Sequence, residues 1–166
     1  MDEVTSRRPY MPGYGIQGPD GGAGLLPWAW AEERLARSRN YWVVSRWPDG
    51  RPHSMPVWGV WHDSSFWFSS SKGSRKARNL EADPRCVVTT EDPAQPVVVE
   101  GVAELIRGHE QLSTLLELEN TKYETDYGLE MLDPALNSAF RVRPRWVFGL
   151  DANDFTGSPT RWSLSE

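Results

Sequence analysis

From Pro27 to Asn40 ("PWAWAEERLARSRN") the apolar positions Trp28, Leu35 and the alanines recur at helical spacing with charges between them, and a proline suits the first turn. The pattern predicts a packing helix. The period then drops to two. "YWVVSR" (41–46), the turn "PDG" (48–50) and "PHSMPVWGVW" (52–61) read as a hairpin, and a second turn, "HDSS", leads into "FWFSS". Within residues 52–61 both alternating sets are largely apolar, Met55, Val57 and Trp61 on one side and Pro56, Trp58 and Val60 on the other. A strand apolar on both sides is expected to be buried on both, as where a barrel wall meets a second subunit. Gly59 in that strand would let another group approach the backbone closely.

A short basic helix ended by Asp83 and Pro84 follows, then strands over 85–91 ("RCVVTTE"), 97–106 ("VVVEGVAELI") and 140–151 ("FRVRPRWVFGLD"). A helix is expected from His109 to Tyr123, with Leu112, Leu115, Leu116 and Glu119 at i, i+3, i+4 and i+7. Residues 126–137 show no clear period. Six strands against two or three helices predict a mostly β fold, an antiparallel six-stranded barrel with helical decoration. The first 26 residues are set apart as an arm: residues 8–24 ("RPYMPGYGIQGPDGGAG") are rich in Gly and Pro yet carry Tyr10, Met11, Tyr14 and Ile16 as anchors. The sequence leaves open whether this is a disordered tail or an arm lying on a partner subunit, and assigns 27–166 to a single domain.

Charge and composition narrow the function. Eighteen Lys and Arg against 23 Asp and Glu leave a net charge of −5, which argues against nucleic acid or an anionic membrane surface as the main partner. Cys86, the lone cysteine, lies in an apolar run and reads as core, so no intrachain disulfide forms. With no signal-like segment at the start and no run of about 20 apolar residues, a soluble cytoplasmic protein is expected. The nine tryptophans read one by one as core; together they suggest a buried interface or a planar ligand.

Most chemical constellations fail on spacing. His53, His62 and His109 fall in different elements and neither CxxC nor HExxH occurs, so zinc-type ligation lacks ligands and the histidines default to surface or turn positions. Ser69, Ser70 and Ser71 have no neighbouring histidine and there is no G-x-S-x-G, so a nucleophilic triad is not expected. The carboxylate pairs Glu32 with Glu33 and Glu117 with Glu119 read as solvated helix faces. One stretch stands apart: "SSSKGSRKARNLEADP" (69–84) places Lys72, Arg75, Lys76 and Arg78 around a helix start capped by Ser74. First-turn amides and the positive end of the helix dipole disfavour cations unless an anion is there too. Hydroxyls, a glycine, free amides and fixed positive charges are the parts of a phosphate site. A solvated basic helix end with an intrahelical partner such as Glu81 uses the same residues.

The run "SMPVWGVWHDSSFWFSSSKGSRKARNLEADPRCVVTTED" resembles the pyridoxamine 5′-phosphate oxidase-like split β-barrel superfamily, and the resemblance continues through "PVVVEGVAEL". It implies a homodimeric six-stranded split barrel holding a flavin or deazaflavin at the subunit interface. By matching position, Arg75 and Lys76 would hold the cofactor phosphate, helped by Ser70, Ser71, Lys72 and Ser74, while Pro56, Val57, Trp58, Gly59 and Val60 would line the ring. Three departures point away from the oxidase itself: Val60 replaces a substrate-contacting lysine, Arg161-Trp162-Ser163 replaces Arg-x-His, and Pro96 replaces a glutamine. The Trp-rich "PVWGVW" and the ending "PTRW" look more like the actinobacterial flavin/deazaflavin oxidoreductases.

That resemblance implies a reductase using coenzyme F420, with FMN as the alternative and a non-catalytic flavin, haem or tetrapyrrole binder as a third reading. Because the cofactor carries hydride chemistry, no catalytic side chain is expected. Trp61, Arg161 and Trp162 are the expected substrate-pocket residues. No metal, nucleic acid or membrane partner is expected.

Overall fold

A computed structural model describes residues 3–165; the first two residues of the arm and Glu166 lie outside it. The described residues form one antiparallel sheet with three α-helices: β1 (Val4–Arg7), α1 (Trp28–Arg37), β2 (Tyr41–Arg46), β3 (Pro52–Val57), β4 (Val60–His62), β5 (Ser65–Ser71), α2 (Arg75–Ala82), β6 (Arg85–Thr90), β7 (Val97–Ile106), α3 (His109–Tyr123), β8 (Asn137–Gly149) and β9 (Thr160–Leu164). Its main path runs β1-β9-β8-β7-β6-β2-β3, while β5 pairs β8 and β4 pairs β5, so the barrel is not closed.

The 13-residue β8 makes the split. From Ala139 to Gly149 it pairs β7, but on the other side its first half takes β5 (Phe66 opposite Val142) and its second half β9 (Val147 opposite Trp162). Among the described residues there are nine strands rather than six. The expected strand 52–61 breaks at Trp58 and Gly59 into β3 and β4, and β1 and β9 add a pair at the far edge, where Val4 lies opposite Leu164. β4 and β5 are joined tightly through Asp63 and Ser64, both at positive φ (48° and 50°), the primed geometry that matches strand twist.

The main core lies on the inner face of the sheet. Tyr41, Val43, Phe66, Phe68, Val99, Phe140 and Trp162 fill it, closed by Ala31 and Leu35 of α1 and by Ala77 and Leu80 of α2. A second cluster, with Val60, Trp67, Ile106, Leu112 and Leu115, sits under α3. The strand buried on both faces is therefore β5, since Phe66 and Phe68 enter one cluster and Trp67 the other. The expectation for residues 52–61 is corrected: β3 is an edge strand on which Ser54, Met55 and Pro56 are exposed. Cys86 is buried, as expected, and burial pushes its thiol up to about 12.

The arm is ordered on its own chain. Beyond the β1–β9 pairing, Arg8 donates to the carbonyls of Pro159, Gly18 and Gly21, Gln17 N to Thr156 O, Ala23 N to Asp154 and Leu26 N to the Thr160 hydroxyl. Apart from the two local Arg8 bonds to Gly18 and Gly21, these bonds run to residues 154–160, at and just before the start of β9 and about 130 to 150 residues away in sequence. Among the described residues no helix is long and apolar enough to cross a membrane.

Candidate functional site at the start of helix α2

Ser74 caps α2: its hydroxyl accepts from Ala77 N at 3.2 Å and exchanges a hydrogen bond with Ser70 Oγ at 2.9 Å. Arg78 N bonds Ser74 O, so the first-turn amides of Arg75 and Lys76 remain to meet an external acceptor. The two cations stand where the sequence placed them. No acidic residue is in the first turn, and among the described residues no carboxylate pairs with Arg75 or Lys76. Glu81, the intrahelical partner considered from sequence, accepts instead from Ser138 Oγ at 3.5 Å. Arg75 is held by a 3.4 Å bond to Asn79 and by the Trp47 ring, 4.3 Å away, while burial lowers the pKa of Lys76. Ser71 and Lys72 lie exposed at the rim, where Lys72 N bonds Leu136 O.

The wall opposite these cations is β3. Its register puts His53, Met55 and Val57 opposite Ser45, Val43 and Tyr41, all buried, so these three share the inward face. Ser45 in turn accepts from Asn79 Nδ2 of α2 at 3.1 Å, which ties the two elements together. Met55 remains 47% exposed although its cross-strand partner Val43 is wholly buried, so the inward face opens at this edge. His53 packs edge-on to Trp47 and its Nδ1 is buried without a hydrogen-bond partner among the described residues. Burial, then the charges of Lys76 and Arg75, lower its pKa. Sequence reading left His53 by default at a surface or turn position; the β2–β3 register and the tie between β2 and α2 set it near the start of that helix.

The expected ring-lining set divides. Val57 is on the inward face with Met55, whereas Pro56 points the other way, opposite Trp42. Trp58 is 43% exposed and stacks on Tyr123 at 4.1 Å. Gly59 does accommodate a close approach, but by Phe66 of the chain's own core. Val60 is buried in the cluster under α3.

The expected substrate pocket divides too. Trp162 is fully buried against Trp28, so within this chain it is core, and Trp61 packs edge-on to the same Trp28. Arg161 reaches the outward face, over Trp146 at 5.3 Å and 4.0 Å from Glu100. Glu100 and Trp146 border a cavity of about 730 Å³ lined also by Val44, Pro52, Val87 and Val102, with an Arg46–Asp83–Arg85 ion-pair cluster at its rim. Arg145 also lines it.

Helix α3 holds the bend between β3 and β4. Lys122 Nζ donates to Tyr41 Oη and Gly59 O, both at 2.8 Å, and Tyr123 Oη accepts from Gly59 N at 2.8 Å and donates to Arg39 O at 2.6 Å. The Tyr41 hydroxyl donates to Leu35 O. Glu119 faces inward on the same helix rather than forming a solvated pair with Glu117, and burial raises its pKa to about 7 while burial lowers that of Lys122 to about 8. Both shifts imprint on stability. Between its usual 4.5 and about 7, Glu119 keeps a proton in the folded state that the unfolded chain has released, so its contribution is full below pH 4.5 and is lost as pH rises to 7. Lys122 acts oppositely between about 8 and its usual 10.5, where stability recovers with rising pH. The Glu119→Gln variant should therefore lack the decline, of order 1–3 kcal/mol, that the parent shows between pH 4.5 and 7 in thermal unfolding; a parent curve that is flat there would show a solvated Glu119.

A split β-barrel with Arg75 and Lys76 on the first turn of α2 defines the class of protein. A match to the family described as pyridoxamine 5′-phosphate oxidase runs over residues 29–151, and the chain belongs to that family. Among solved structures, a conserved hypothetical protein from Mycobacterium tuberculosis is 27% identical with a TM-score of 0.68, over 78% of this chain and 87% of its own. An F420 reductase is 25% identical with a TM-score of 0.59, over 70% of this chain and 94% of its own. A heme binding protein from Mycobacterium smegmatis, 20% identical over 80% of this chain and 62% of its own with a TM-score of 0.56, shares the fold alone. No curated protein matches the chain. Family and fold together make this a flavin-type oxidoreductase or binding protein.

Proposed function

We propose that this chain is an oxidoreductase that passes a hydride from reduced coenzyme F420 to a small unsaturated or conjugated acceptor. The observation that carries the reading is the pair Arg75 and Lys76, unpaired by any carboxylate among the described residues, at a helix start whose two charges also act on His53 of β3. Cations so placed repel one another and the helix dipole until an anion joins them, and a phosphate ester has the right charge and size. The residues present thus fit a phosphate-bearing cofactor. The 25% identical F420 reductase favours the deazaflavin over FMN. When bound, the cofactor supplies the hydride; the chain's own residues anchor its phosphate, orient it along the inward face of β3 and exclude water. FMN is the second reading, since the same cradle accepts its phosphate.

A second copy of the chain would complete the site. The outward faces of β2, β6, β7 and β8 put Trp42 and Val44, Thr89 and Val87, Val98 and Glu100, and Phe148 and Trp146 in adjoining rows. Trp42 and Trp146 are 45% and 41% exposed beside the 730 Å³ cavity. An apolar face of this kind is characteristic of an interface. The test is a titration of the purified protein with oxidised F420 and, separately, with FMN, followed by tryptophan fluorescence, with light scattering on the same sample. Tighter binding of F420 and twice the chain mass are expected. Tighter binding of FMN would replace the deazaflavin by the flavin, binding of neither would remove the cofactor reading, and a monomer would remove the shared site.

A further inference from the structure

His53 is half-buried, but its Nδ1 is enclosed and has no hydrogen-bond partner among the described residues, the charges of Arg75 and Lys76 act on its ring, and neither the sequence motif nor the match to the family assigns it a role. Resting on the phosphate reading above, we propose that His53 is a proton-linked ligand of the anion: its imidazole takes up a proton as a phosphate ester settles against Arg75 and Lys76, and becomes the third charged donor of the site.

Around the ring, from α2 come Arg75 and Lys76; from the β2–β3 turn come Trp47, edge-on at 6.0 Å, and Arg51, which stacks over the other ring of that pair at 4.5 Å and is itself paired with Asp49 at 2.8 Å. From β2 comes Ser45, whose hydroxyl accepts from Asn79. The charges that act on His53 are those of Lys76 and Arg75, both positive, and with burial they favour the neutral imidazole. In that state Nδ1 is enclosed with nothing to bond. A buried polar atom without a partner is unfavourable, and a native fold completes it with a water, an ion or a ligand.

An anion reverses both conditions. Its negative charge offsets Lys76 and Arg75, and its oxygens accept from a ring N–H, so the protonated imidazole becomes the favoured form. Thermodynamic linkage then requires the reciprocal effect: if the ligand raises proton affinity at His53, protons raise ligand affinity. Binding is strongest below the free-state pKa of His53 and weakens as pH climbs through its bound-state value, by up to about tenfold per pH unit in that window.

Calorimetric titration of F420 and of FMN into the protein at pH 7, in two buffers of different ionisation heat, reads the protons taken up per ligand. Uptake of a substantial fraction of a proton is expected for the parent, and its loss, with binding weakened about tenfold, for His53→Gln. Comparing parent and variant with the same ligand cancels any proton the ligand itself gains. Imidazole NMR on the parent gives the same answer without mutation: of the three histidines, His53, His62 and His109, only His53 should titrate at higher pH by about one unit or more when the cofactor is added. If cofactor binds with equal proton uptake in parent and variant and the His53 resonance titrates unchanged, the inference is overturned while the phosphate reading stands. If neither cofactor binds at pH 6 to 8, the phosphate reading fails and the inference falls with it.

Discussion

Replacing Arg75 and Lys76 together by alanine should weaken cofactor binding at least a hundredfold while leaving the melting temperature within a few degrees of the parent. Each charge-assisted contact to a phosphate contributes about 1.5–3 kcal/mol, so two lost together reach or exceed that factor. Stability should respond differently, because neither side chain is neutralised in the free protein. Arg75 holds only a 3.4 Å bond to Asn79 and the Trp47 ring, and Lys76 is desolvated with no carboxylate partner among the described residues. Removing them relieves repulsion at a helix start and on His53. Parallel binding curves and thermal unfolding of parent and double variant decide the matter. Undiminished affinity would move the phosphate elsewhere on the protein; a large fall in melting temperature would make the cations structural.

The second large effect belongs to Gly59→Ala, which should destabilise the protein by about 3 kcal/mol and lower its melting temperature by roughly 6–12 °C. A methyl group there would collide with the Phe66 ring and come within 2.9 Å of Trp67 O. Neither can retreat: Phe66 is fully buried between Tyr41, at 4.5 Å between ring centroids, and Phe68, at 5.6 Å, and the Trp67 carbonyl belongs to the sheet backbone. Gly59 is also held on both its backbone groups, N to Tyr123 Oη and O to Lys122 Nζ, so it cannot slide away. Denaturant unfolding of the variant checks this. Parent-like stability accompanied by lost cofactor affinity would restore Gly59 to the role expected from sequence, a place where the cofactor meets the backbone.

Where structure follows from neighbours in the chain, the sequence determined it. The period of 3.6 placed α3 at His109–Tyr123, the valine-rich run placed β7 at Val97–Ile106, and Ser74 announced the start of α2, because spacing and capping are settled within a few residues. The cationic cradle was legible for the same reason: Arg75 and Lys76 sit on one helix turn, and the conflict between their charge and the helix dipole can be read without knowing the fold. Only the tertiary structure decided what sits across from that turn. His53 reaches it through the β2–β3 register and the packing of α2 on β2, and a histidine in a strand carries no local sign of either. The same holds for Glu119, whose spacing with Leu112 and Leu115 fitted the buried face but whose charge suggested solvent; the hydrophobic cluster under α3 settled it. Trp162 became core against Trp28, and β1 found β9, through contacts more than 130 residues apart in sequence, where the drive to bury apolar surface and satisfy strand edges outweighs local preference.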